Sequence, residues 1–478
     1  MVDWFAFGFG VIDSFIRLTR VMFDDLVLPR AGISFLPHQD HGVRWMVSQE
    51  ASDAHGGILA DDMGLGKTFQ TIGLLKNAAI SLRTLIVCPP VLLAAWSSEL
   101  RACGFAVSTL TGTATWSDGG RGSESDTVWL CTYPKVVLHY KSLAKERFQR
   151  IILDEGHAIR NGEGTARWKS CMSISADAVA RWILSATPIQ NGKSDWRNLC
   201  AWLRIPETAT DCMLRRTMDD LRSDIAALPP SPHFVHHTLT IPESSTEGSL
   251  FRVLCDSAVN AFESSSLSVF MKLERWMRIQ QFLVHPQIYI EAMRSKLGLA
   301  YKRPDWTGSS TKWDACYAQI VDAVSASLPT IVFCQFRAEM DRVAAASAAL
   351  GASVFSIRGG SDVGLEVERA RAAASAGGAV VVVVQILCGG VGLNLQFCKR
   401  ILFLSQHWNP AVVHQAIGRA VRIGQSAVVD VHFFAVSDEV VDNLDRRIAE
   451  LHSDKIEVAR SVCQSLYAGF PSGAGTVA

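Results

Sequence analysis

The stretch that most constrains this chain is Asp61-Asp-Met-Gly-Leu-Gly-Lys-Thr68, set directly after the apolar run Gly57-Ile-Leu-Ala60. Gly64 and Gly66 free the backbone to turn tightly, so successive N–H groups can face one anion. Lys67 can then reach the outer phosphates of a nucleotide, and the Thr68 hydroxyl can hold a magnesium ion. A helix beginning here offers its positive end to the same anion. Such a loop belongs where a buried strand hands over to a helix, which predicts an α/β fold. The strict pattern has Gly where Asp61 stands, and Gly-Lys-Thr also arises by chance. The loop alone therefore leaves phosphate binding open.

A second element narrows the choice. Ile151-Ile-Leu-Asp-Glu-Gly-His157 reads as a buried strand running into acids at its carboxyl end, where open α/β sheets bind ligands. There Asp154 would coordinate magnesium through water, and Glu155 would orient and deprotonate an attacking water. A solvated acidic turn would look the same locally, but the loop upstream weighs against it.

Short apolar runs recur in two sets. Residues 84–88, 127–131, 151–154 and 182–185 form the first; 330–334, 353–357, 379–385, 400–405 and 429–435 form the second. They lack period-2 alternation, as strands of a parallel sheet covered on both faces do. Leu228-Pro-Pro-Ser-Pro232 punctuates the chain between them, and residues 243–302 turn helical. The expected fold is α/β, with two RecA-like, doubly wound parallel-sheet lobes and helical elements between them. The expected boundaries are an N-terminal helical extension (1–32), lobe 1 (33–240), a helical segment (241–310), lobe 2 (311–442), and a C-terminal helix with a loose tail (443–478).

Composition excludes more than it assigns. With 46 basic and 46 acidic residues the net charge is zero, so nucleic-acid binding would have to use local patches. The twelve cysteines form no C-x-x-C pair, giving neither a zinc signature nor a disulfide framework. No run reaches the roughly 20 apolar residues of a membrane span, and the aromatic segment 4–15 reads as a docked helix.

The order of motifs resembles the SNF-type DNA translocases of helicase superfamily 2, the motor family of chromatin remodellers, from about Leu36 to Asp442. Leu36-Pro-His-Gln39 is similar to the family's adenine-reading motif, with Gln39 on the base. The resemblance gives nucleotide contacts to Asp61, Met63, Gly64, Leu65, Gly66, Lys67 and Thr68. Pro89-Pro-Val-Leu-Leu-Ala-Ala-Trp96 with Glu99 resembles the segment on the DNA backbone, and Leu184-Ser-Ala-Thr-Pro-Ile-Gln-Asn191 the motif coupling hydrolysis to lobe motion. Leu214-Arg-Arg-Thr217 is also family-like. In the second half Gly389-Gly-Val-Gly-Leu-Asn-Leu395, Trp408-Asn-Pro410 and the string from Gln415 to Gln425 match, which adds Gly392 and Gln415 to the nucleotide set. Arg419 and Arg422, three apart, would share one face of a helix. The resemblance makes them arginine fingers for the γ-phosphoryl group.

The resemblance implies ATP and Mg²⁺ as cofactors, double-stranded DNA as partner and an intracellular, in a eukaryote nuclear, setting; the residues themselves give no zinc or membrane signature, and with no accessory module recognised a targeting protein is a further expected partner. Candidate DNA contacts are Lys135, Arg160, Lys312 and Arg337. Each also reads as an ordinary surface charge. Gly418, Val421, Val413 and Leu387 depart from the family pattern, and the helical protrusion between Leu203 and Leu214 looks truncated. A strand-separating helicase and a degenerate ATPase scaffold remain alternatives to a duplex translocase.

Overall fold

The computed structural model describes residues 26–436, apart from 79, 113–114, 118–126, 191, 226–227, 264–267, 309, 390–392 and 406. The expected N-terminal helical extension (1–32) falls mainly, and the C-terminal helix and tail (443–478) entirely, outside the described residues. The chain divides into two compact units between Leu228 and Pro229, inside the proline-rich break.

The first unit alternates strand and helix. In chain order it runs α1 (Pro37–Ala51), β1 (Gly56–Leu59), α2 (Lys67–Asn77), β2 (Thr84–Cys88), α3 (Leu93–Ala102), β3 (Ala106–Thr109) and β4 (Thr127–Thr132). It continues with α4 (Tyr133–Lys145), β5 (Arg150–Asp154), α5 (Ala166–Ile174), β6 (Ala180–Leu184), α6 (Lys193–Leu203) and β7 (Met213–Leu214). The sheet order is β3-β4-β2-β5-β6-β1-β7, with parallel pairing throughout. Side chains of β5 alternate between two cores: Ile151 and Leu153 enter one, Ile152 the other. Both faces are covered, which is why the run reads as unbroken apolar sequence.

The second unit opens with β8 (His233–Leu239), followed by α7 (Thr246–Glu263), α8 (Val269–Val284), α9 (Pro286–Leu297) and α10 (Thr311–Ser325). Then come β9 (Thr330–Cys334), α11 (Arg337–Ala349), β10 (Ser353–Ile357), α12 (Val363–Ser375), β11 (Val380–Gln385), the single turn α13 (Ile386–Gly389), β12 (Arg400–Phe403), α14 (Pro410–Ile417) and β13 (Asp430–Val436). Its parallel sheet has the order β10-β11-β9-β12-β13-β8. Val380, Val382 and Val384 of β11 face one core, Val381 and Val383 the other. Helices α7 to α9 enclose a further cluster around Phe251, Trp276 and Phe282.

One expectation needs correction. Strand β8, assigned to lobe 1 by the boundary at residue 240, extends the second sheet, pairing with β13 from His233↔Asp430 to Leu239↔Val436. It is a half-exposed edge strand carrying three histidines, without the buried apolar run of the central strands. β1 covers most of the apolar run that precedes the phosphate loop, and the short strands β3 and β7 lie outside the expected runs. The connection from α6 to β7 is as short as its sequence implied. Residues 204–212 cross with one 3-10 turn, and the Trp196 indole donates to the Glu207 carbonyl at 2.9 Å.

Candidate active site

The phosphate loop leaves β1 and enters α2 at the carboxyl edge of the first sheet. Gly64 and Gly66 take left-handed backbone angles, φ +88° and +83°, which side-chain-bearing residues rarely adopt. A Cβ at Gly66 would also lie 2.5 Å from Gln39 Nε2. The Lys67 ammonium donates to the Asp61 and Asp62 carbonyls at 2.6 and 3.2 Å. Burial pulls its pKa below the ordinary lysine value, opposed chiefly by Glu155 and Asp61. Thr68 and Met63 are half-buried beside it, and Leu65 is fully buried.

The Leu65 carbonyl draws the loop to its neighbours. Gln39 Nε2 donates to it at 3.3 Å, Gln70 Nε2 lies 3.4 Å away, and His38 Nε2 is at 2.9 Å. Gln39, expected on the base, thus stands against the loop itself, its Oε1 accepting from the Leu36 N–H at 3.1 Å. Asp61, expected among the nucleotide contacts, has its side chain engaged within the protein. Its fully buried carboxylate accepts two hydrogen bonds from Arg216, at 2.9 and 2.5 Å, and one from Gln70 at 3.0 Å. A carboxylate so occupied is a structural anchor rather than a phosphate ligand, since it would also repel the anion.

At the end of β5 the two acids take separate roles. Asp154 is buried, accepts from the Trp96 indole N–H at 2.7 Å through Oδ2, and from the Glu155 N–H at 3.0 Å through Oδ1. Burial, with Glu155 beside it, pushes its pKa up to about 6, and the Trp96 hydrogen bond acts in the opposite direction. Glu155 holds φ +50°, a strained angle of the kind functional sites retain. His157 Nδ1 lies 3.2 Å from Glu155 Oε2 and 3.1 Å from Ser185 Oγ, and Ser185 Oγ accepts from the Thr187 N–H at 3.2 Å. The water-activating candidate is therefore joined by a short polar chain to the Ser185-Ala-Thr187 motif.

The second unit departs from expectation at its arginines. Helix α14, capped by Asn409 Oδ1 on the Ala411 N–H at 3.1 Å, ends at Ile417. Arg419 and Arg422 lie in the turns beyond it, not on a helix face. The low helix propensity of Gly418 favours the stop, and Leu395 and Gln425 claim the Arg419 and Ala420 carbonyls. The Leu395 N–H donates to the Arg419 carbonyl at 3.0 Å, while Gln425 Nε2 donates to the Gln396 and Cys398 carbonyls at 2.6 and 3.2 Å. Arg419 and Gln415 are buried, and burial lowers the Arg422 pKa. Gly392 lies outside the described residues.

The four candidate DNA contacts separate. Lys312 is only 1% exposed and sits in the second unit near Glu339, which corrects its reading as a surface charge. Lys135 donates to the Leu110 carbonyl and Arg160 to the His157 carbonyl, the latter at 2.9 Å. Arg337 is exposed at the start of α11. Trp96, Arg216 and Ser185 gained roles the sequence did not assign. Trp96 and Ser185 lay within recognised strings, but nothing local points Arg216 at Asp61.

A glycine-cradled phosphate loop, an acid pair at the end of β5 in the same sheet and a second parallel-sheet unit define a two-lobed, helicase-like ATPase. The SNF2-related domain model matches residues 38–210, and the Helicase conserved C-terminal domain model matches 312–424. This chain belongs to the SNF2-type helicase-like ATPases of superfamily 2, enzymes that hydrolyse ATP.

The chain is 27% identical over 467 residues to the "Probable global transactivator" of Orgyia pseudotsugata multicapsid polyhedrosis virus, covering 88% of this chain and 90% of that one. It is 32% identical to the ATP-dependent helicase ULS1 and 34% identical to the Helicase SWR1 of Saccharomyces cerevisiae, each over 36% of this chain. Those alignments span only 13% and 12% of the yeast proteins. The Sulfolobus solfataricus SWI2/SNF2 ATPase core in complex with dsDNA aligns at 21% identity over 93% of this chain and 98% of that one, with a TM-score of 0.38. Among the described residues no helix is long and apolar enough to cross a membrane, and no three His, Cys, Asp or Glu side chains converge as a metal cage.

Proposed function

We propose that this protein is an ATP-driven translocase on double-stranded DNA that remodels protein–DNA or DNA structures. The observation that carries the reading is the path from Glu155 through His157 to Ser185 and Thr187, because it ties the hydrolytic carboxylate to the strand-end motif between β6 and α6. A motor needs such a tie; a simple nucleotide hydrolase does not. The SNF2-related match supports duplex DNA as the track.

In this reading the loop amides and Lys67 hold the β- and γ-phosphates, with Lys67 leaving the carbonyls of Asp61 and Asp62 to do so. Gln39 contacts the adenine. Asp154 and Thr68 offer hard oxygen donors of the kind Mg²⁺ takes, and such an ion usually completes its shell with phosphate and water rather than a protein cage. When bound, it supplies neutralisation of phosphate charge. Glu155 orients the attacking water and accepts its proton. Arg419 and Arg422 supply the second lobe's charge to the transferring γ-phosphoryl group, and Gln415 and Gly392 belong to that contact.

Displacement of a third strand from a DNA triplex tests the reading. Displacement should require ATP and fail in Lys67→Ala, and unwinding of an ordinary forked duplex should be weak. Robust fork unwinding without triplex displacement would replace translocation by strand separation.

A further inference from the structure

Residues 214–218 have no part in the chemistry above, yet they flank the phosphate loop along its length. The Ala60 N–H donates to the Leu214 carbonyl at 2.7 Å and the Asp62 N–H to the Arg216 carbonyl at 2.9 Å. The Met218 N–H returns a bond to Asp62 Oδ2 at 3.2 Å. From this flank the Arg216 guanidinium, 11% exposed, reaches three elements at once. Its Nε and Nη2 grip Asp61 on the loop, Nη2 also donates to Gln70 Oε1 on α2 at 2.9 Å, and Nη1 donates to the His38 carbonyl on α1.

Gly42, one turn further along α1, carries the imprint of this arrangement. A Cβ there would collide with Gln70 Oε1 and lie 2.9 Å from Arg216 Nη2. The helix can lie this close to the clamp because residue 42 has no side chain. His38 is adjacent to Gln39, so the guanidinium fixes the turn of α1 that presents Gln39 to the loop. Its planar fork does this bidentately, a geometry lysine cannot reproduce.

We propose that Arg216 is a positioning residue for base selection. It locks the Gln39 turn of α1 to Asp61 and Gln70, so that adenine is read in fixed register with the phosphates. The inference rests on the reading of Gln39 as the base contact. Asp61 is then the anchor of the clamp, which accounts for a carboxylate where the strict loop pattern has glycine.

The test measures steady-state hydrolysis of ATP and GTP by the full chain. Wild type, Gln39→Ala, Arg216→Lys and the charge-balanced Asp61→Asn/Arg216→Gln are compared, with thermal unfolding as a check on folding. Wild type should prefer ATP, and Gln39→Ala should lose the preference. Arg216→Lys should raise KM for ATP about tenfold with kcat largely kept, leave KM for GTP nearly unchanged, and so lower the ATP preference about tenfold, the scale of a misplaced binding group. If Arg216→Lys does not fold, the charge-balanced variant is read in the same way. A merely structural role would weaken both nucleotides equally, and that result overturns the proposal. Retained preference in the folded Arg216 variants, with Gln39→Ala losing it, also overturns the proposal while sparing the Gln39 reading. A wild type indifferent to the base overturns both.

Discussion

The phosphate loop of the first unit and the arginine segment of the second are both short strings, but they are held in place differently. In the loop, local chemistry does most of the work: two glycines at positive φ, a strand before and a helix after. Around Arg419 and Arg422 the backbone leaves the helix, and distant carbonyl and amide partners at Leu395, Gln396 and Cys398 set its course. Local rules therefore locate the first site in both sequence and shape, whereas the second is located in sequence only.

Removing the second region's charge should have the largest effect. Arg419→Ala or Arg422→Ala should lower the catalytic rate by about 10³-fold or more, with ATP affinity far less changed. Single-turnover hydrolysis with saturating ATP measures this, and wild-type rates in both variants would confine the chemistry to the first unit.

Glu155→Gln comes next. Turnover should fall about 10²–10⁴-fold, while nucleotide binding persists because Lys67 and the loop amides are untouched. Nucleotide affinity measured beside turnover separates the two effects. Loss of both together would make Glu155 a folding residue rather than the base.

Asp61→Gly restores the strict glycine pattern of the loop, and it should still do harm. It leaves Arg216 facing a site from which its counter-charge has gone, which costs on the order of 3–5 kcal/mol. Denaturant unfolding measures the loss. An unchanged or raised stability would mean that the Asp61–Arg216 pair anchors nothing.

These comparisons also mark what the sequence could reveal. β2, β5, β9 and β11 are five- or six-residue, mostly apolar strands with both faces buried, so their pattern is local. β8 is not legible in that way, because it is partly exposed along its length, carries His233, His236 and His237, and has its partner β13 almost two hundred residues away. The same distance problem hides Arg216, 155 residues from Asp61. Gly418 stands out as a departure from the family pattern, but its consequence, a helix ending before Arg419, depends on what Leu395 and Gln425 claim across the fold.

The smallest effect concerns that hidden edge. His237 Nε2 and His432 Nδ1 are 2.9 Å apart across β8 and β13. Burial lowers both pKa values, that of His432 to about 4, with Arg400, His237 and His233 adding to the lowering and Asp430 opposing it. A histidine held neutral in the fold stabilises fully above its unfolded pKa of 6.5, and that contribution is lost as pH falls toward 4. His432→Gln should therefore flatten the acid slope of second-unit stability by on the order of 1–3 kcal/mol. Unfolding followed at pH 7, 5.5 and 4.5 reads it, and parallel slopes in variant and wild type would remove His432 from the account.

A translocase of the proposed kind couples hydrolysis to duplex DNA, and the ATPase rate measured with no nucleic acid, single-stranded DNA, duplex DNA and RNA reads that coupling. Duplex DNA should give the strongest stimulation, falling as salt rises because phosphate contacts release counterions. Stimulation by RNA but not by duplex DNA, or a rate indifferent to every nucleic acid, would contradict it.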